Sequence, residues 1–292
     1  MTTPPHAALN NTLWLIRREL WENRSIWLMP LILGGLLLLA ALFGRVDIEV
    51  PAHAGSGVGV SLLFGFGITF FLVMSIYSTW YLLDCLYTDR KDRSVLFWKS
   101  LPVSDTETVL SKLATALLVI PVVYFVVADL TSLLIAFIIS VRASSLLGGS
   151  LWRMDLWLQL QALWLYLIVT LAIWYLPVAG WLMLVSAWAR RAVMLWSILP
   201  PLALYLAERW FLGTDVLGTQ IAGRLFGYIA VAFHARADGL AHLDGPAVAA
   251  SAWDLMNPAA FLSNAATWAG AAVGFALIYG VIQVRYRRTD AG

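Results

Sequence analysis

Long apolar runs separated by short charged segments dominate the chain and set the first expectation. A hydrocarbon core of about 30 Å needs about 20 apolar residues in a helix. Six stretches reach or approach that length: 26–43, 58–83, 114–140, 157–188, 193–206 and 264–284. The third is interrupted only by Asp129. The fourth is too long for one straight crossing; its opening, LWLQLQALW, reads as partly interfacial, and Pro177 is placed to bend the remainder. The fifth is the shortest and contains Pro200-Pro201. Ahead of the first run, Leu9, Leu13, Ile16 and Leu20 recur at helical spacing, with Arg17, Arg18 and Glu22 away from that stripe and Trp14 and Trp21 at its edge. This pattern predicts an amphipathic helix over 9–24, lying in the membrane interface.

Composition sharpens the picture. Hydrophobic residues make up 61% of the 292 positions and charged residues 12%, whereas soluble domains are about half apolar and a quarter charged. The load of 15 Trp and 10 Tyr suits many membrane–water boundaries. A lone Cys85 excludes an intramolecular disulfide framework and a multi-cysteine metal cluster. The opening MTTPPHAALNN has neither the basic stretch nor the apolar core of a signal peptide, so the whole chain is expected in the mature protein. With both termini cytoplasmic, 13 of the 19 Lys and Arg fall on the inner side, as the positive-inside rule requires. The expected fold is an all-α polytopic membrane protein: one transmembrane domain over 1–292, six transmembrane helices and both termini cytoplasmic.

The segment 87–105 between the second and third runs carries the most information. Val95, Leu96, Phe97 and Trp98 form an apolar set within a charged loop, which calls for a partner surface, either headgroups or another protein. Leu101-Pro102 breaks the helix. Ser104-Asp105-Thr106-Glu107 then reads as a capping box before the apolar run, so the third span should start outside the bilayer and rise as a lever. Asp129, at membrane depth, is a candidate translocation-path or gating residue; the alternative is a structural hydrogen bond to a neighbouring helix. Ala266, Gly270 and Gly274 form a small-residue stripe suited to close packing within the subunit. The extracytoplasmic segment 213–262 holds one helical pattern over 216–235. It also holds His234, Asp238 and His242 at four-residue spacing, which read as a solvated loop rather than a metal site. No Gly-x-x-x-x-Gly-Lys-Ser/Thr, His-Glu-x-x-His or Gly-x-Ser-x-Gly occurs. Neither catalytic nor metal-ligating residues are expected.

Taken together, Asp89-Arg90-Lys91-Asp92, the apolar set 95–98, Leu101-Pro102-Val103-Ser104, Glu107 and Ser111-Lys112 resemble the cytoplasmic loop of ABC-2 type transporter permeases. Two departures stand out: Asp-Arg-Lys-Asp replaces the family's Glu-rich start, and Arg93-Ser94 stands where Gly is common. Trp253–Pro258 resembles the family's approach to its final helix. The resemblance implies a type V exporter-like topology and the role of permease subunit in an ATP-binding cassette exporter. It also implies ATPase docking through Asp89, Arg90, Asp92, Val95, Leu96, Phe97, Trp98 and Lys99, with Leu101, Pro102, Ser104 and Glu107 forming the break and cap of the coupling loop. Expected partners are a separate P-loop ATPase in two copies, which would hold the ATP and magnesium, a second permease subunit (identical or homologous), and membrane lipids. No nucleic acid and no cofactor on this chain are expected. The implied location is a bacterial inner membrane. A complex that passes force to extracytoplasmic machinery would share the same loop, whereas an intramembrane enzyme would need clustered polar groups at membrane depth.

Overall fold

A computed structural model describes residues 5–44, 57–91, 104–142, 151–233 and 252–290. Among these no strand is formed beyond an isolated bridge between Phe233 and Met256. The helices are α1 (Pro5–Glu22), α2 (Ser25–Phe43), α3 (Gly57–Lys91), α4 (Asp105–Ala114), α5 (Ile120–Arg142), α6 (Met154–Trp174), α7 (Leu176–Trp188), α8 (Val193–Phe211), α9 (Val216–Phe226), α10 (Tyr228–Ala232), α11 (Ala252–Leu255), α12 (Pro258–Ser263) and α13 (Ala265–Asp290). A π turn, Thr115–Val119, joins α4 to α5 without a break.

Five helices are long and apolar enough to cross a membrane: Ser25–Phe43, Leu63–Lys91, Asp105–Arg142, Met154–Trp174 and Ala265–Arg287. Only 17% to 39% of each spanning stretch is buried in the protein. Helices this apolar with so much surface uncovered require a lipid solvent, so the chain is a multi-pass helical membrane protein. The expected fifth span, 193–206, lies in α8, which is not among the five; Pro200-Pro201 and the closing Glu208-Arg209 dilute its apolar character. The opening of the fourth run, expected to be partly interfacial, is helical throughout. It belongs to α6, where Leu156, Leu160 and Trp164 are buried at one-turn spacing. The break comes at Tyr175, and Pro177 sits in the first turn of α7, where its missing N–H costs nothing.

Packing follows the small residues. α13 runs along α7, where a Cβ on Gly274 would come within 2.8 Å of the Leu176 backbone carbon and one on Gly180 within 2.9 Å of Leu277 Cβ. The small-residue stripe of the last helix is thus spent on close approach inside the subunit. α2 lies along α5, with Gly34 against Thr131, and α3 sits between α5 and α7. The largest core joins Phe70, Met74, Tyr81, Val109, Ile120, Tyr124, Met183 and Val281. At the end of the bundle away from α1, Arg142 donates to the carbonyls of Ala41 and Gly44, closing α2.

Candidate functional site

One end of the bundle gathers α1, the end of α3, the start of α4 and the end of α13, and its polar side chains form a chain of alternating charge. The Lys112 ammonium, 17 residues before Asp129, would be out of place facing lipid. α4 instead turns it inward, where Nζ donates to Glu19 Oε1 at 2.8 Å and to Asp89 Oδ1 at 3.3 Å. The Lys112 and Glu19 side chains are each only 3% exposed. Glu19 also accepts from Tyr81 Oη at 2.7 Å and from Asn23 Nδ2 at 3.3 Å. Beyond Asp89 the chain continues to Arg285, whose Nη1 lies 3.9 Å from Asp89 Oδ2 and whose Nε donates to Asp105 Oδ1 at 3.0 Å. Ions this buried persist only when each is paired and its remaining polar atoms are bonded. Here α1, α3, α4 and α13 each supply a member, so the network ties four separate elements into one unit.

Its position matters as much as its chemistry. Asp89 is the last acidic residue before the segment 92–103, and Asp105 is the first after it. The expected loop residues Asp92, Val95, Leu96, Phe97, Trp98, Lys99, Leu101 and Pro102 lie outside the described residues. Both flanks of that loop are nevertheless held by the single guanidinium of Arg285. Arg90 is likewise turned inward. It donates to the carbonyls of Ser186 and, at 2.8 Å, Ala189, which closes the C-terminus of α7, while Ser186 Oγ accepts from the Leu86 and Tyr87 N–H groups at 3.1 Å. On the far flank the capping box is complete. Ser104 Oγ accepts from the Glu107 N–H at 3.2 Å, and Glu107 Oε2 accepts from the Ser104 N–H at 2.8 Å. The helix that starts there continues through the π turn to Arg142 as 38 residues, about 57 Å at 1.5 Å per residue. That is nearly twice the thickness of a hydrocarbon core.

Asp129 lies at mid-depth. Thr131, two residues on, meets Gly34, the central residue of α2. Asp129 Oδ1 accepts from Gln161 Nε2 of α6 at 2.5 Å, and one turn below, the Phe125 and Trp164 rings meet at 5.8 Å. Among the described residues Asp129 has no basic partner. Between Gln161 and the break at Tyr175, α9 to α12 pack against the second half of α6. Tyr228 Oη pairs with Thr170 Oγ1 at 2.7 Å, Tyr166 Oη donates to the Ala232 carbonyl, and Asn257 caps α12 by accepting from the Ala260 N–H. Glu208, past the apolar part of α8, accepts from Thr214 Oγ1 and from the Val216 and Leu217 N–H groups, anchoring the start of α9. The Thr214 hydroxyl, reinforced by those two N–H groups, holds its carboxyl below the ordinary value. His234, Asp238 and His242 lie outside the described residues.

Sequence patterning did not single out Glu19, Tyr81, Ser186 or Arg285. A detectable signal was Lys112 itself, a cation two residues ahead of an apolar run and in need of a counter-ion. No known protein family, no curated protein and no solved structure matches the chain.

Proposed function

We propose that this chain is the permease subunit of an ATP-driven exporter, coupled to a separate ATPase through the loop 92–103. The observation that carries the reading is the placement of the ionic network. The loop whose sequence resembles ABC-2 permeases enters and leaves the bundle at Asp89 and Asp105, and Arg285 holds both. A push on the loop would therefore displace α3, α4 and α13 together, and α1 with them through Lys112 and Glu19. The 57 Å helix beyond Asp105 would carry that displacement to the depth of Asp129.

In this reading six crossings are made by α2, α3, α4–α5, α6–α7, α8 and α13, with α8 a short one and both termini on the inner, basic side. Val95, Leu96, Phe97 and Trp98, flanked by Asp92 and Lys99, meet the ATPase, whereas Asp89 and Arg90 anchor the loop rather than touch the partner. Two ATPase copies, holding ATP and magnesium, would serve two permease subunits in a bacterial inner membrane. The cargo would be an amphiphile, peptide, lipid-linked glycan or toxic small molecule. The test is co-purification of the tagged full-length chain in mild detergent, beside a Phe97→Asp/Trp98→Asp variant. A stoichiometric P-loop ATPase, lost in the variant while the membrane protein stays monodisperse, is the expected result. Absence of any ATPase from the native preparation overturns the proposal.

A further inference from the structure

The face of α1 that does not meet the bundle is built in an unusual way. Leu15 and Glu19 are buried, and Ile16 and Leu20 are partly covered, so the stripe expected from the sequence is split. Its member Leu13 is 64% exposed. Roughly opposite the buried face, Trp14, Arg17 and Trp21 stand at i, i+3 and i+7, with the two indoles 64% and 68% exposed. The Arg17 guanidinium lies between them, 5.4 Å from the Trp14 ring and 4.9 Å from that of Trp21. Flanked on two sides by π faces, the guanidinium is held in place with its N–H edge free. Among the described residues it makes no ion pair, whereas Arg18 is paired with Glu22 at 2.8 Å.

We propose that this face of α1 is a binding site for acidic phospholipid headgroups, with Arg17 taking the phosphate and Trp14 and Trp21 seated at the acyl boundary. Three features on the same surface select lipid over a soluble anion. Only Asn23 and Arg24 separate α1 from α2, so the helix lies at the level where the first span enters its apolar stretch. The first turns of that span are themselves uncovered at Trp27, Leu28 and Leu31. The charge is complementary, because exposed Arg24 adds to Arg17, while Glu19 is neutralised by Lys112 on the opposite face. Indoles of this exposure beside a cation are the side chains that settle at headgroup depth. Since Glu19 belongs to the network at the loop flanks, the same helix touches lipid on one side and the loop anchor on the other. The site does not depend on an ATPase being present.

The test uses the full chain reconstituted in phosphatidylcholine vesicles containing a fixed fraction of either brominated phosphatidylglycerol or brominated phosphatidylcholine. Subtracting the emission of a Trp14→Phe/Trp21→Phe protein isolates quenching of the two indoles. The expected result is stronger quenching by the acidic lipid, equivalent to about a fivefold preference, the factor that corresponds to about 1 kcal/mol for one basic residue at an anionic surface. Arg17→Gln should abolish the preference while quenching by the neutral lipid persists, and Arg153→Gln, at the far end of the bundle, should leave it intact. Equal quenching by both lipids in the native chain would reduce α1 to a generic interfacial helix and overturn the proposal. So would no quenching by either, which would mean that protein covers this face.

Discussion

Replacing Lys112 with Met removes the one ammonium that stands 2.8 Å from Glu19 and 3.3 Å from Asp89. Two carboxylates, with side chains 3% and 13% exposed, are left without it. Breaking a buried ion pair from one side costs about 3–5 kcal/mol, because the remaining charge stays desolvated. Glu19→Gln is milder: the amide oxygen still accepts from Tyr81, and Lys112 keeps Asp89, so the loss is about 1.5–3 kcal/mol, the range of a charge-assisted hydrogen bond. The double variant removes both charges of the central pair and leaves Asp89 to Arg285. It should therefore be less damaged than the two single losses combined, by about 0.5–3 kcal/mol. Equilibrium unfolding in mixed micelles, followed by tryptophan emission, measures all three proteins. Arg153→Met, which breaks a pair whose side chains are 54% and 52% exposed, is the control and should be indistinguishable from the native chain. Strict additivity of the two single variants, or Lys112→Met no worse than Glu19→Gln, would refute the account of a buried, mutually dependent network.

Two further outcomes follow from the packing and from the far end of the bundle. Gly274→Ala places a methyl within 2.8 Å of the Leu176 backbone carbon and 2.9 Å of Pro177 N; neither can rotate away, so α13 and α7 must part at a cost of about 1–3 kcal/mol, read as earlier thermal aggregation than in Gly35→Ala, where nothing lies in the way. Glu208 is held ionised by Thr214, Val216 and Leu217, so its folded-state value lies below the ordinary 4.5; its contribution is present above that pH and is lost as the pH falls through the lowered value. Amide-exchange protection of 214–219, corrected for intrinsic rates, should drop on acidification below about pH 4.5, and Glu208→Gln should flatten that dependence.

How much of this was legible in the sequence depended on whether the signal was local. Apolar length found the spans, and Ser104 with Glu107 announced the start of the lever, because a capping box is complete within four residues. The partners of Lys112 lie 93 residues before it and 23 residues before it. On an amphipathic helix a glutamate such as Glu19 reads as a solvent-facing residue, and only tertiary packing turns it inward. Arg90, expected among the ATPase-docking residues, hides its packing for a similar reason. A basic residue in a charged run gives no sign that two carbonyls at a helix end, 96 and 99 residues away, will claim it. Asp129 sat between two readings, and the Gln161 contact supplies the structural half without removing the other. In the fifth run two prolines, followed by a Glu-Arg end, lower the apolar character, while 193–211 still forms a helix of 19 residues.

The π turn at Thr115–Val119 gives the long helix two phases. The Ile120 N–H reaches back five residues to the Thr115 carbonyl instead of four, and the extra residue is accommodated just before Pro121, whose ring would otherwise crowd the carbonyl of Leu117. Each residue of an α-helix advances about 100°, so the turn works as a one-residue frameshift. The residues before it are written in the frame that aims Lys112 at Glu19 and Asp89, and those after it in the frame that aims Asp129 at Gln161. If the turn relaxed to regular α-helix with all its residues kept, one of these side chains would swing by about 100° toward lipid, whereas a single deletion within 115–119 would remove the extra residue and leave both aimed as they are. The five residues of the turn are where the spacing between the two polar positions is set, and where the loss of one residue can be absorbed without moving either.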